Sequence, residues 1–75
     1  MARLPSFKSR EIIRILKRHG FVEKRQVGGH LHLYHYGKRR LATVPVHNKD
    51  LKRKTLSSIL RQSGLRPEDL TRRGK

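Results

Sequence analysis

A stretch of alternating residue types near the middle of the chain restricts the fold more than any other feature. In residues 30–36, HLHLYHY, Leu31 and Leu33 are separated by polar or aromatic positions. Successive side chains of a strand point to opposite sides, so the two leucines share one face. The opposite face carries His30, His32, Tyr34 and Tyr36. A register shift of one residue would bury the histidines and expose the leucines, so the pattern predicts a strand with one buried and one solvent face.

The segment before it predicts a first helix. SREIIRILKRHGF, residues 9–21, has apolar residues at helical spacing and basic residues on the opposite side. The expected apolar stripe consists of Ile12, Ile13 and Leu16. Ser6 and Ser9 are both plausible N-caps, and Gly20 is expected to end the helix, with Phe21 as an apolar anchor after it.

Two shorter segments predict further strands on either side of the alternating one. VEKRQV, residues 22–27, precedes it, and LATVPV, residues 41–46, follows a turn in which Gly37 is expected to take a positive φ. Pro45 indicates an edge strand or the end of a strand, because proline has no N–H to donate.

The C-terminal part predicts a second helix over TLSSILRQSG, residues 55–64, with Gly64 as its cap. Its expected buried residues are Leu56, Ile59 and Leu60. RPEDL is expected to add one helical turn, and residues 71–75 to form a mobile basic tail. The predicted α+β order is helix, three antiparallel strands, helix, in one domain over residues 1–75 with a core from about 6 to 70. Both helices should cover the leucine face.

The charge of the chain points to polyanionic partners. Twenty Lys and Arg against five Asp and Glu give a net charge of +15. Such a field concentrates nucleic acid, although a solubilising surface or an acidic protein partner would also account for it. There is no cysteine, so a disulfide framework and a thiolate metal site are excluded. Neither a secretory signal nor a membrane-spanning stretch is recognisable, which favours a cytoplasmic protein.

A metal site is one interpretation of the clustered histidines. His30 and His32 with His35 or His47 would supply imidazoles, but strand alternation places His35 on the other face. No carboxylate is close in sequence, and the positive field repels divalent cations. We therefore expect no metal or other cofactor.

Two interpretations involve RNA. Tyr34 and Tyr36 resemble the aromatic residues on which unpaired bases stack, although tyrosine is also a common strand residue. Histidine can serve as general base or acid in metal-independent RNA cleavage, because its ordinary pKa lies near neutrality. Gly28 and Gly29 would let a phosphate backbone approach closely, or they simply form a turn. The cations expected to hold phosphates there are Lys24, Arg25, Lys38, Arg39 and Arg40.

Three motifs in order resemble one known family. SREIIRILKRHGF, then GGHLHLY, then VPVHNKDLKRKTLSSILRQSGL is similar to the HicA family of bacterial toxin–antitoxin mRNA interferases, over about residues 5–70. The resemblance implies a fold like that of the double-stranded-RNA-binding domain and an endoribonuclease that cleaves mRNA and blocks translation. It also implies a HicB-type antitoxin that covers the active site.

The resemblance assigns the essential histidine to His30. Gly29 stands where the family more often has serine, and Lys54 where a glycine often precedes the second helix. His47 matches a family position and is a second catalytic group, a substrate contact or a turn residue. His32 and Tyr34 share the face of His30 and are candidate substrate contacts, whereas His19 suits the C-terminal end of the first helix. The alternative function is a non-catalytic small basic RNA-binding module.

Overall fold

The computed structural model describes residues 6–71 and confirms the α+β order. The elements are α1 (Ser9–Arg18), β1 (Val22–Val27), β2 (His30–His35), β3 (Arg40–Pro45), α2 (Arg53–Ser63) and α3 (Pro67–Thr71). The short α3 is the extra turn expected from RPEDL. The predicted mobile tail lies outside the described residues except for Thr71, which ends α3. In residues 6–71, no helix is long and apolar enough to span a membrane.

The three strands form one antiparallel sheet in the order β1-β2-β3, so β2 is central. Val27 pairs with His30, which leaves Gly28 and Gly29 as the turn between β1 and β2. All six residues of β1 have exposed side chains, so this strand is held by its pairing with β2 rather than by burial. β3 is the opposite edge and ends at Pro45, as predicted from the proline.

The alternation along β2 is confirmed. Leu31 and Leu33 are 6% and 0% exposed and point towards the helices, with Ala42 and Val44 of β3 beside them. The strand ends at His35, one residue earlier than expected, so Tyr36 lies in the turn and is 61% exposed.

The turn between β2 and β3 differs from the prediction. His35 pairs with Arg40, and the positive φ belongs to Arg39 (56°), whereas Gly37 has none. Gly37 is instead placed against the ring of His35, where an added Cβ would lie 3.1 Å from Cε1. Glycine serves here for close approach, and an arginine adopts the left-handed backbone immediately before β3.

Both helices pack on the leucine face. In α1 the buried residues include Ile12, Ile15 and Leu16, whereas Ile13 is only partly buried. The predicted stripe was therefore wrong by one member, because the helix faces the sheet along Ile12, Ile15 and Leu16. Phe21 is buried after the helix, as expected. In α2, Leu56 and Ile59 are buried and Leu60 is partly buried.

The prediction of a serine N-cap for α1 was wrong, whereas the prediction of a glycine C-cap for α2 is confirmed. Lys8 is the N-cap of α1, and its backbone N–H donates to Glu11 Oε1 at 2.8 Å, so neither candidate serine caps this helix. Ser9 is 2% exposed and is used in tertiary contacts instead. At the end of α2, Gly64 adopts φ 78° and its N–H donates to the carbonyl oxygen of Leu60, which confirms the predicted cap.

Candidate active site on the open face of the sheet

The sheet face turned away from the helices carries part of the predicted set of site residues. Cross-strand partners point to the same side of a sheet, so the register defines the face in three rows. The rows are Val27–His30–Pro45, Arg25–His32–Thr43 and Val22–Tyr34–Leu41. We call this surface the open face. It combines the predicted histidines and Tyr34 with aliphatic residues that sequence reasoning did not single out.

His30 is the first residue of β2 and is exposed. Its imidazole has no hydrogen bond or ion pair within residues 6–71. An added Cβ at Gly28 or Gly29 would meet no atom of the more distant described residues within 4 Å, so the turn that precedes His30 is uncrowded. The Gly29 carbonyl oxygen accepts the N–H of Val46 at 2.7 Å, which fixes the backbone immediately before His30. His30 is therefore an accessible imidazole on a backbone that is well held.

His32 lies two positions along the same face and is half-buried. Its Nδ1 is 3.0 Å from Oγ1 of Thr43 on the neighbouring strand. This contact fixes the orientation of the ring. Compared with His30, His32 is less accessible and already has a partner, which suits a positioning role better than proton transfer.

The two tyrosines contact each other edge to face, with ring centroids 4.8 Å apart and planes at 80°. Lys24 Nζ donates to the Tyr36 hydroxyl at 2.8 Å and lies 5.2 Å from the centroid of that ring. Tyr36 is thus engaged by Lys24, whereas Tyr34 borders a shallow pocket of about 300 Å³ on the open face. The pocket is lined by Lys24, Arg25, Val27, His32, Tyr34 and Leu41.

A bulge between Glu23 and Arg25 brings two cations to the pocket. An extra residue in a strand lets consecutive side chains reach the same side, which explains why Lys24 and Arg25 both line it. Lys38 and Arg39 are exposed in the turn at the far end of β2 from His30. A six-residue strand spans about 17 Å, so this second pair of cations is well separated from the imidazole.

Arg40 does not join these cations. It pairs with His35 and so points to the helix side, where its Nη1 lies 3.4 Å from the carbonyl oxygens of Arg61 and Gln62. These carbonyls belong to the last turn of α2, where backbone acceptors lack helical partners. Arg40 thus contacts the C-terminal end of α2, on the side of the sheet opposite to the open face.

His47 follows β3 and lies against the start of α1. Its backbone N–H donates to Oγ of Ser9 at 3.3 Å, and the same Oγ donates to the Pro45 carbonyl oxygen. The backbone of His47 is therefore tied to the start of α1, not to the loop before α2 with which a turn residue was expected to bond. Its imidazole has no partner within the described part of the chain, and it lines a separate cavity beside α1.

The remaining histidines lie away from the open face. His19 Nδ1 is 2.9 Å from the carbonyl oxygen of Ile15, so this ring contacts the C-terminal end of α1 as expected. His35 lies on the helix side, 5.2 Å from the ring of Phe21, and accepts the N–H of Lys38 through Nδ1. Among residues 6–71, no group of three His, Cys, Asp or Glu side chains is arranged to hold a metal ion.

Comparison with known proteins defines the class. Residues 9–65 match the family described as the HicA toxin of bacterial toxin–antitoxin systems. No curated protein matches the chain. Because the match covers more than half of the 75 residues, the chain belongs to the HicA toxin family. Membership makes it a toxin of a toxin–antitoxin system and implies a cognate antitoxin as a partner.

Proposed function

We propose that this protein is an endoribonuclease that cleaves mRNA, blocks translation and is neutralised by a HicB-type antitoxin. The observation that carries the proposal is His30: an exposed imidazole without an intramolecular partner in residues 6–71, on the open face of a strongly cationic toxin. A general acid–base group needs access to the substrate and freedom to exchange its proton. His30 and His47 both meet these conditions, whereas His32 is half-buried and contacts Thr43; of the two, only His30 lies on the open face, in a row beside that of His32.

The proposed reaction is in-line attack within the RNA chain. A base removes the proton of a ribose 2′-hydroxyl, the 2′-oxygen bonds to the adjacent phosphorus, and the bond from phosphorus to the 5′-oxygen breaks. The departing 5′-oxygen takes a proton from an acid, which leaves a 2′,3′-cyclic phosphate and a 5′-hydroxyl end. His30 acts as the base or the acid in this sequence.

Lys24 and Arg25 are the cations best placed to hold RNA on the open face. Both line the pocket that begins beside Val27, the cross-strand partner of His30. Cations near the scissile group also stabilise the negative charge that develops on its oxygens. His32 and Tyr34 line the same pocket and are proposed to contact the substrate. Lys38 and Arg39 would hold phosphates further along the chain.

The antitoxin is proposed to cover the open face. Val22, Val27 and Leu41 are 46%, 53% and 49% exposed there, which is unusual for aliphatic side chains on a charged protein. The centre of a protein–protein interface buries apolar side chains of this kind. A partner with acidic residues around an apolar centre would match both these residues and the neighbouring Lys24 and Arg25. Such a partner would exclude RNA from His30.

The test is cleavage of a defined mRNA fragment by purified protein, without added metal and with chelator present. Wild-type protein should produce fragments with cyclic phosphate ends, and His30→Ala should not. His19→Ala is the matched control, because it removes an imidazole outside the open face. In cells, wild type should arrest growth and His30→Ala should not. Cleavage by His30→Ala at the wild-type rate would refute the assignment, and RNA binding without cleavage by wild type would indicate a non-catalytic binding module.

A further inference from the structure

A second cavity lies between the start of α1 and the segment after β3, and it shares no lining residue with the pocket on the open face. Its volume is about 580 Å³, within the range of about 300–1,000 Å³ that is common for ligand sites. It is lined by Lys8, Ser9, Arg10, Ile13, Val46, His47 and Asn48. None of these residues except His47 was singled out as functional from the sequence.

The walls of this cavity are fixed by contacts between distant parts of the chain. Ser9, which is 2% exposed, donates its hydroxyl to the Pro45 carbonyl oxygen and accepts the N–H of His47. On the other side, the N–H of Leu51 donates to the carbonyl oxygen of Phe7 at 2.8 Å. The backbone segments that carry the lining side chains are therefore held in place by the fold.

The charged groups at the cavity differ in availability. Lys8 Nζ lies 3.6 Å from Asp50 Oδ1, so part of its charge is already compensated. The guanidinium of Arg10 and the imidazole of His47 have no hydrogen bond or ion pair within residues 6–71. Ile13 and Val46 supply apolar surface between them. Two free cationic or proton-donating groups beside an apolar wall suit a ligand with one anionic and one flat, weakly polar part.

The cavity is also connected to the candidate active site through the backbone. Val46 lines the cavity, and its N–H donates to the carbonyl oxygen of Gly29, the residue before His30. His30 itself pairs with Pro45, one residue before that wall. Gly28 and Gly29 carry no side chains, and an added Cβ at either would meet no atom within 4 Å, so an RNA chain could lie close to this turn between the imidazole and the cavity.

We infer that this cavity binds a nucleotide of the RNA next to the one at the cleavage site, an inference that rests on the proposed RNA substrate. Arg10 and His47 hold its phosphate, and Ile13 and Val46 contact its sugar or base. His47 is then a substrate-binding residue whose backbone fixes the turn and whose ring binds the flanking phosphate. From the sequence alone this residue was open between a turn role, a catalytic role and a substrate contact of unspecified kind.

The test measures binding of single-stranded RNA to protein carrying His30→Ala, so it does not require cleavage. Arg10→Gln and His47→Gln are compared with Arg14→Gln, which removes the same charge as Arg10→Gln from an exposed position of α1 outside the cavity. Loss of a charge-assisted phosphate contact should weaken binding about tenfold. The slope of log K against log salt should fall by about 0.7 for Arg10→Gln. Arg14→Gln should show only the small effect of one lost surface charge.

Varying the RNA length distinguishes binding in the cavity from general electrostatic attraction to the positive charge of the protein. With oligonucleotides shortened from either end, the effect of Arg10→Gln should disappear once the flanking nucleotide is missing. Thermal melts check that each variant is folded, and Arg10→Lys should retain most of the affinity because it keeps the charge. Equal effects of Arg10→Gln and Arg14→Gln, or effects independent of RNA length, would overturn the inference. The inference would also be overturned if Arg10→Gln and His47→Gln weakened binding of an acidic antitoxin but not of RNA, because the cavity would then be a protein contact.

Discussion

The ring of His35 lies directly against the backbone of Gly20: a Cβ added at Gly20 would be 2.7 Å from its Nε2. Gly20 also has a φ of 97°, which side chains disfavour. These two observations show why a glycine follows α1, and they place His35 as a spacer between the end of α1 and the turn after β2. The ring of His35 thus packs against Phe21, Gly20 and Gly37 within the fold, whereas the ring of His30 is exposed to solvent.

Replacement of Gly20 by alanine should therefore destabilise the protein. Both the positive φ and the contact with His35 would be strained, and we expect a loss of about 1–3 kcal/mol in the free energy of unfolding. Gly29→Ala is the matched control, because an added Cβ there meets nothing within 4 Å. Its stability should be unchanged or raised by up to about 1 kcal/mol. Denaturant melts measure both, and equal stabilities would contradict the described turn.

The left-handed backbone of Arg39 allows a test that isolates conformation from charge. Arg39→Gly and Arg39→Ala both remove the guanidinium, but only glycine adopts a φ of 56° without steric cost. We expect Arg39→Gly to be more stable than Arg39→Ala by about 1 kcal/mol. Chemical denaturation of the two variants at the same salt concentration measures the difference. If alanine were as stable as glycine, the turn would have another conformation in solution.

Loss of charge at Arg40 should mainly lower stability, whereas loss of charge at Arg25 should mainly reduce the salt dependence of RNA binding. Arg40→Gln removes contacts with the last carbonyls of α2 and should lower stability by up to about 1 kcal/mol, with little change in the salt dependence of RNA binding. Arg25→Gln should leave stability nearly unchanged and reduce the salt slope by about 0.7. Thermal melts and binding titrations at several salt concentrations give both quantities. If Arg40→Gln reduced the salt slope as much as Arg25→Gln, Arg40 would have to contact RNA phosphates as well.

The aliphatic residues of the open face should matter for the antitoxin. Leu41→Ser removes a half-exposed side chain and should weaken antitoxin binding about tenfold or more, because apolar anchors at the centre of an interface carry much of its affinity. The antitoxin should raise the melting temperature of wild type with concentration, and less so for the variant. Arg14→Ser, on exposed α1 surface, is the control. Equal affinities for both variants would place the antitoxin elsewhere.

The sequence predicted the faces of β2 well, and for a physical reason. A strand with one buried face must alternate, so the residue types of HLHLYHY alone define both the core side and the solvent side. The same logic located His30 on the open face and set His35 apart from it. Gly64 and Phe21 were also predictable, because a helix end is a local feature with few solutions.

The features that the sequence did not predict depend on contacts between distant residues. Arg40 reaches the end of α2, and Ser9 bonds to the segment around Pro45, across sequence separations that no local pattern records. The same holds for the second cavity, whose walls come from α1 and from the segment after β3. In the sequence Arg10 is one of many basic residues, and only the fold brings it beside His47.

The exposure of β1 has a consequence for which substitutions the fold tolerates. No side chain of Val22–Val27 belongs to the core, so its six residues can be exchanged at little expense in folding free energy. Three of them nevertheless line the pocket on the open face. Under the proposed function, substitutions in this one strand would change contacts with the antitoxin or with RNA, while the leucines of β2 and the helices keep the scaffold constant.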